Sequence, residues 1–281
     1  MKKIFLLFVF CSSAVFAQNT NYKHSLQGVK KVRIESSANV KVITGNTSEL
    51  ILGYDTSKAK SGNNRNTSLT FNSIILNNKS KILNNKSNEN RKKGLRPVYP
   101  GGKDNTEGLG FSIEKKEGIL IVKDLKSRYQ SKNILITLPK SMNISVDGGI
   151  MGAIFIDGFT SEVEADSNVG TINLNNVTGP VTAHSSVGTI NVVFSKINQS
   201  SPISITSATG EIDVAISENA KVDLDIRAGG TLYTNFNFKA SPKKGMENVS
   251  GLRNIVNSLN GGGVKMKLKS TMGNIYLRKK E

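Results

Sequence analysis

A glycine-centred repeat constrains the fold of this chain more than any other feature. The pentapeptide VGTIN occurs at 169–173 and again at 187–191. Related units surround three further glycines, at Gly210, Gly229 and Gly273. A repeat this short predicts one supersecondary unit that buries its apolar side by stacking on its neighbours.

Within each unit, apolar and polar residues alternate on both sides of the glycine, which predicts two short strands. Before the glycine the inward-facing residues lie at odd distances from it, and after the glycine they lie at even distances. This change predicts a corner at the glycine, where the chain turns. The Gly229 unit matches least well, because Thr231 replaces the isoleucine found in the other units. A small serine faces inward three residues before four of the glycines: Ser167, Ser185, Ser207 and Ser270.

The repeat predicts an all-β fold, a parallel β-solenoid (β-helix) of short rungs that stack about 4.8 Å apart. Like residues then lie above like residues, with Gly170 below Gly188. We expect an irregular N-terminal β lead-in over 18–57 and the solenoid over 109–281. The 44 residues between Gly229 and Gly273 correspond to two turns, or to one turn that carries an insertion.

A basic, Asn/Lys-rich insertion is predicted over 58–108. Its first part, 58–96, holds ten basic residues and one acid, Glu89. The segment is polar and too long for an ordinary turn. Its densest basic cluster is the candidate anion-binding site: Arg91, Lys92, Lys93 and Arg96. The alternative is a solvated loop without a ligand.

A second insertion is predicted at 239–263, and we expect it to be helical. Its apolar residues recur at helical spacing: Met246, Val249, Leu252, Ile255, Val256 and Leu259. Three glycines, 261–263, would end such a helix. We expect the helix to pack on the solenoid or to cover its end, where it would protect edge strands. A partner-binding helix is the alternative.

The first 17 residues are typical of a secretory signal peptide. Lys2 and Lys3 precede an apolar run, and small residues precede Gln18. The only cysteine, Cys11, lies in this segment, so no disulfide is expected in the mature chain. No later run of about 18 apolar residues predicts a transmembrane span. We therefore expect an exported protein that is periplasmic, on the cell surface or secreted.

The charge of the chain indicates which partners it favours. The formal net charge is +17, and removal of the signal peptide with Lys2 and Lys3 leaves +15. Such a protein favours acidic surfaces. Export argues against intracellular nucleic acid, so no specific nucleic acid is expected. The predicted partner is an envelope protein of unknown identity or an acidic surface glycan.

Catalytic residue patterns are weak in this sequence. Glu162, Glu164 and Asp166 alternate and point outward on one predicted strand, a pattern compatible with a glycosidase and equally with any solvated strand. His184 is predicted to lie beside Asp166 and to form a surface ion pair. No metal-ligand spacing, phosphate loop or dinucleotide fingerprint occurs. We predict that the chain is not an enzyme, with no catalytic, metal-binding or cofactor-binding residues and no cofactor.

Several segments resemble a known family. They are VKKVRIESSANVKVITGN (29–46), GILIVKD (118–124), ILITLPKSMNISVDGG (134–149) and the two GTIN rungs. These segments resemble the bacterial "putative adhesin" β-strand-repeat family and its relative, the head GIN domain of autotransporter-like adhesins. The resemblance runs along nearly the whole mature chain. It implies a right-handed parallel β-solenoid, export, and a role in the envelope or at the surface, but no binding residues.

The predicted function is that of an exported, non-enzymatic β-solenoid that acts as an adhesin-like or cell-envelope binding or scaffold protein. A periplasmic envelope-stress or signalling accessory protein is one alternative. A polysaccharide-active β-helix enzyme is the other.

Overall fold

The computed structural model describes residues 21–55, 94–127, 130, 132–238 and 253–280, and this part of the chain is all β, with no helix. The strands are β1 (Tyr22–Ser25), β2 (Lys31–Glu35), β3 (Val40–Thr44), β4 (Glu49–Tyr54), β5 (Phe111–Lys116), β6 (Ile119–Asp124), β7 (Ile134–Leu138), β8 (Asn143–Asp147), β9 (Ile154–Asp157), β10 (Val163–Val169), β11 (Ile172–Val177), β12 (Val181–Val187), β13 (Ile190–Phe194), β14 (Ile203–Thr209), β15 (Ile212–Ile216), β16 (Val222–Ala228), β17 (Leu232–Thr234), β18 (Arg253–Leu259), β19 (Val264–Met272) and β20 (Ile275–Lys279).

The strands form two ten-stranded sheets. Sheet A has the order β1-β4-β7-β3-β9-β11-β13-β15-β20-β17, and sheet B has the order β18-β16-β19-β14-β12-β10-β8-β2-β6-β5. Antiparallel pairs occur only towards the ends, at β1–β4, β4–β7, β5–β6 and β16–β18. The remaining described pairs are parallel, which is compatible with a solenoid.

The chain passes from sheet B to sheet A and back with each repeat unit. β10 pairs with β12 in sheet B, and β11 pairs with β13 in sheet A. Val169 lies beside Val187, and Ile172 lies beside Ile190. The predicted stacking of the two VGTIN units is therefore confirmed.

A buried serine and a glycine form each corner between the sheets. The Ser185 hydroxyl donates to the Gly170 carbonyl oxygen at 3.3 Å, one rung below. The same bond joins Ser167 to Gly152, Ser207 to Gly188 and Ser270 to Gly210. A Cβ atom at Gly188 would collide with the Gly170 carbonyl oxygen. Glycine is required because adjacent rungs touch through their backbones here.

The core is a column of aliphatic side chains between the two sheets. Equivalent residues occupy equivalent places in successive rungs, as with Ile172, Ile190, Ile212 and Ile275, which are all fully buried. Burial of each such side chain contributes about 1.5–3 kcal/mol. The repeated apolar positions therefore supply most of the driving force for stacking.

The rungs at both ends are out of sequence order. β2 lies between β6 and β8, and β3 lies between β7 and β9. The lead-in predicted over 18–57 thus supplies a complete rung inside the stack. At the other end, β19 lies between β14 and β16, and β20 between β15 and β17. The last unit in the sequence therefore fills a gap left by the unit before it.

The helix predicted at 239–263 is wrong where the structure describes it, and residues 239–252 lie outside the described residues. Arg253–Leu259 forms β18, antiparallel to β16. Ile255 and Leu259 are four residues apart, a spacing that fits one face of a strand as well as a helix. Val256 points away from the core and is 69% exposed.

A compact polar cluster lies beside the ends of β4, β5 and β6. Lys126 Nζ contacts Asp124 Oδ1 at 2.6 Å and lies 3.7 Å from the centre of the Phe111 ring. It also donates to the carbonyl oxygens of Leu109 and Gly110. Burial of the ammonium group favours its neutral form, and the pKa of Lys126 lies below its ordinary value despite Asp124. The cluster fixes the segment that returns from the basic insertion.

Candidate functional site

The outward side of sheet B carries a continuous array of charged and polar side chains, which we call the charged face. Parallel register aligns them in two rows across seven neighbouring strands, from β2 to β16. The Glu35 row contains, in spatial order, Glu35, Asp147, Asp166, His184, Thr206, Lys269 and Arg227. The Arg33 row contains, in the same order, Arg33, Ser145, Glu164, Thr182, Ser204, Lys267 and Asp225.

One end of the Glu35 row is acidic. Glu35, Asp147 and Asp166 are direct neighbours on three adjacent strands. Asp147 accepts a hydrogen bond of 2.7 Å from the Gly149 amide. A shallow groove of about 390 Å³ lies over this end and extends to His184. Lys123 on β6 lies beside Glu35, but Asp147 has a carboxylate on both neighbouring strands. Like charges at directly opposite positions destabilise a sheet.

Glu164 lies at the same end but is paired. Lys31 Nζ lies 2.8 Å from Glu164 and 3.4 Å from Glu162. Burial favours the neutral form of Glu164, but hydrogen bonds from Lys31 and Ser145 outweigh it and hold the pKa below its ordinary value. A general acid in glycoside hydrolysis needs a raised pKa. The Glu162–Glu164 pair is thus suited to binding Lys31 rather than to proton donation.

His184 occupies the middle of the Glu35 row. The predicted register between Asp166 and His184 is confirmed. The hydrogen bond of the imidazole, however, joins His184 Nδ1 to Thr206 Oγ1 at 3.0 Å. The ring is therefore oriented towards the hydroxyl-rich strand β14, away from the carboxylates.

At the other end of the charged face, the Glu35 row is basic, while aspartates lie beside two of the lysines. Lys265, Lys267 and Lys269 occupy successive outward positions of β19 and form what we call the lysine strand. Lys269 lies directly beside Arg227. Asp225 lies beside Lys267, but its carboxylate is 3.3 Å from Arg227 Nε on its own strand. Within the described chain, the three lysines have no ion pair with an acid.

Sheet A presents a different outward surface. Asn191 Nδ2 donates to Asn173 Oδ1 at 2.8 Å, and the rings of Tyr233 and Tyr276 stack at 5.2 Å. Arg278 pairs with Asp213. Burial raises the pKa of Asp213 even though Arg278 opposes the shift. Among these groups only Arg278 and Asp213 are charged, and they neutralise each other.

The structure describes only one residue of the anion-binding cluster predicted from the sequence, Arg96. Arg91, Lys92 and Lys93 lie outside the described residues. Arg96 is exposed and has no hydrogen bond or ion pair with any described residue. Sequence reasoning missed the charged face because its rows join strands such as β2, β14 and β19, which are far apart in the chain.

The described residues contain neither a metal-binding cluster nor a membrane-spanning helix. No group of three or more His, Cys, Asp or Glu side chains there could hold a metal ion. No helix in the described part of the chain has the length and apolar character needed to cross a membrane.

Comparisons with known proteins give only structural similarity. No protein-family model matches the sequence, and no curated protein matches it. A putative cell adhesion protein from Clostridium sporogenes is similar in structure, with 11% identity, a TM-score of 0.43, and 92% of this chain and 99% of that chain covered. A putative adhesin from Bacteroides fragilis gives 14% identity, a TM-score of 0.41, and coverage of 92% and 96%. Identities this low transfer no binding residue to this chain.

Proposed function

We propose that this chain is an exported, non-enzymatic, adhesin-like binding protein of the bacterial cell envelope, and that the charged face is its binding surface. The partner is an envelope protein or an acidic surface glycan. The signal-like residues 1–17 and the mature charge of +15 support export and a preference for acidic partners.

The finer fold assignment is a right-handed β-solenoid of the kind found in adhesin β-strand repeats and the head GIN domain. Support for the hand comes from the connection β10–β11–β12, which leaves sheet B and returns parallel to itself. Such crossovers are right-handed in about 98% of cases.

The segregation of charge along the Glu35 row of sheet B is the observation that carries the proposed function. Three carboxylates adjoin at one end, and Lys269 adjoins Arg227 at the other. Interspersed charges would stabilise the sheet better, because opposite charges on neighbouring strands attract. A face that keeps like charges together at a cost in stability is suited to a charged partner.

Support for a non-enzymatic role comes from the pairing of Glu162 and Glu164. Lys31 holds Glu162 and Glu164, and the lowered pKa of Glu164 disfavours a proton on it at neutral pH. The protein should therefore leave acidic polysaccharides uncleaved. Release of reducing ends that stops in a Glu164→Gln variant would contradict this part of the proposal.

Protease shaving of intact cells tests the location, and cell attachment tests the function. The proposed function expects the chain to be cleaved on whole cells. It also expects attachment to fall when Lys265, Lys267 and Lys269 are all changed to serine. A matched control changes Lys23, Lys103 and Lys140 to serine, which removes the same charge elsewhere.

Protection from protease until the outer barrier is opened would place the chain in the periplasm. Adhesion would then be excluded, and an envelope-stress or signalling accessory role would replace it. Attachment that is equal in both triple variants would exclude the lysine strand from the binding surface.

A further inference from the structure

The charges at the two ends of the charged face are related by a reversal of the strand order. Thr182 and His184, on β12, stand at the middle of the two rows. In the Glu35 row, the three strands on one side of β12 carry Glu35, Asp147 and Asp166, and the strands on the other side carry Thr206, Lys269 and Arg227. In the Arg33 row, the outermost charges have the opposite signs, with Arg33 on β2 and Asp225 on β16. If the strand order is reversed about β12, each strand is exchanged with its counterpart: β10 with β14, β8 with β19, and β2 with β16.

This exchange places opposite charges at matching positions of the Glu35 row. Glu35 on β2 exchanges with Arg227 on β16, and Asp147 on β8 exchanges with Lys269 on β19. Asp166 exchanges with the uncharged Thr206. No position of this row exchanges with a residue of the same charge.

In the Arg33 row, too, no residue exchanges with a residue of the same charge. Arg33 exchanges with Asp225, and Ser145 with Lys267. One strand further out at each end, Ile121 on β6 exchanges with Val256 on β18. Val256 is 69% exposed, and the exchange matches it with the half-buried isoleucine.

We propose that a second copy of this chain is a partner of the charged face, and that the two copies pack face to face about a two-fold axis parallel to β12. Such an axis places each row opposite the same row of the second copy, with the strand order of the second copy reversed. Every residue then faces its exchange counterpart. Glu35 faces Arg227 of the second copy, and Arg227 faces Glu35, as an isologous interface requires.

The alternative occupant, an anionic polymer, would use only the lysine strand. It would leave Glu35, Asp147 and Asp166 as a repulsive surface on the same face. A second copy instead neutralises both ends at once, and it covers Val256. The complementarity of both ends therefore favours self-association.

The size of the face predicts a weak, reversible dimer. Together with the flanking strands β6 and β18, the face comprises nine strands about 4.8 Å apart, which span roughly 38 Å. Three outward positions per strand span about 13 Å. The buried surface is then roughly 500 Å² per copy, in the range of transient complexes. At about 0.1 M salt the screening length is about 10 Å, so the contacting charges dominate over the distant net charge.

This inference rests on the proposed use of the charged face for binding, and charge exchange tests it separately. Sedimentation velocity of the purified protein should reveal a monomer–dimer equilibrium. Glu35→Arg places arginine against Arg227 twice in the dimer, and Arg227→Glu places glutamate against Glu35 twice. Each variant should dimerise about tenfold less strongly or worse. A Lys23→Glu variant, which reverses a charge on β1, should dimerise as the wild type does.

Mixing the two weakened variants gives the decisive result. In a mixed pair, the new arginine at position 35 faces the new glutamate at 227, and the unchanged Arg227 and Glu35 face each other. The mixture should regain dimers with about wild-type affinity. A loss of folding in one variant would not be repaired by mixing, and melting curves of each variant check folding directly.

A monomeric wild type, or a mixture that stays monomeric, would overturn the inference. Heparin binding that requires Lys265, Lys267 and Lys269 in a protein that never dimerises would also overturn it, in favour of an anionic polymer. Cell attachment through another partner can persist in either case, so the shaving and attachment assays decide the proposed function independently.

Discussion

The phenol hydroxyl of Tyr54 donates a hydrogen bond of 2.5 Å to the backbone carbonyl oxygen of Leu109. Tyr54 ends β4, ahead of the basic insertion, and Leu109 precedes β5, after it. The Asp55 amide also donates to the Asn133 carbonyl oxygen at 2.9 Å. Both ends of the insertion are therefore held by contacts that do not require the residues between them.

Excision of the insertion should consequently leave the fold intact. Replacement of 58–93 by a Gly–Ser linker of about ten residues shortens the connection, so less conformational entropy is lost when folding closes it. The free energy of unfolding should rise by about 1 kcal/mol, as measured by chemical denaturation. A clear fall in stability would show that the insertion supports the stack. If the cluster Arg91–Lys93 binds anions as predicted, the excised protein should also elute from heparin at lower salt.

Alkaline pH should destabilise the protein through Tyr54. Burial, followed by the charge of Asp124, raises the pKa of this phenol well above its ordinary 10.0. The unfolded chain therefore loses the proton first, and the stabilisation present below pH 10 is lost as the pH rises further. Between about pH 9 and 11, the melting temperature of the wild type should fall more than that of Tyr54→Phe. A Tyr233→Phe variant, altered at an exposed ring, should follow the wild type.

Sequence alone predicts the middle of the stack because neighbouring rungs there are also neighbours in the chain. The alignment of Gly170 with Gly188, and of Asp166 with His184, follows from spacing. The strands over 111–124 and 134–138 are predictable from alternation and turn residues in the same way. In these segments local periodicity and tertiary contact agree.

The ends of the stack are not predictable in this way. Nothing in the alternation of β2 indicates that it pairs with both β6 and β8, since any strand with an apolar face fits any rung. For the same reason, the sequence does not indicate that β19 lies between β14 and β16. The charged face depends on the placement of β2 and β19 within the stack, so its rows follow only from the three-dimensional register.

The corner serines should stabilise the stack individually. Ser185 is fully buried, and its hydroxyl reaches the Gly170 carbonyl oxygen. Ser185→Ala removes this donor and leaves a small void, so stability should fall by about 1–2 kcal/mol. Ser186→Ala, at the neighbouring residue outside the core, should change stability by less than about 0.5 kcal/mol. Equal denaturation midpoints for the two variants would argue against a role for the buried bond.

The corner glycines should be the positions least tolerant of a methyl group. Gly188 has a φ of 153°, and a Cβ there would meet the Gly170 carbonyl oxygen of the rung below. Backbone cannot move aside without disturbing the parallel ladder, so Gly188→Ala should cost about 2–5 kcal/mol through strain and overpacking.

Gly101 provides the matched control for that prediction. A Cβ at Gly101 would make only ordinary contact with Leu125, at 3.6 Å. Gly101→Ala should therefore melt within a few degrees of the wild type, while Gly188→Ala melts far lower or fails to accumulate. A Gly188→Ala protein as stable as the control would mean that the rungs can separate at this corner. The close backbone contact would then not be what fixes the position of the glycine in every unit.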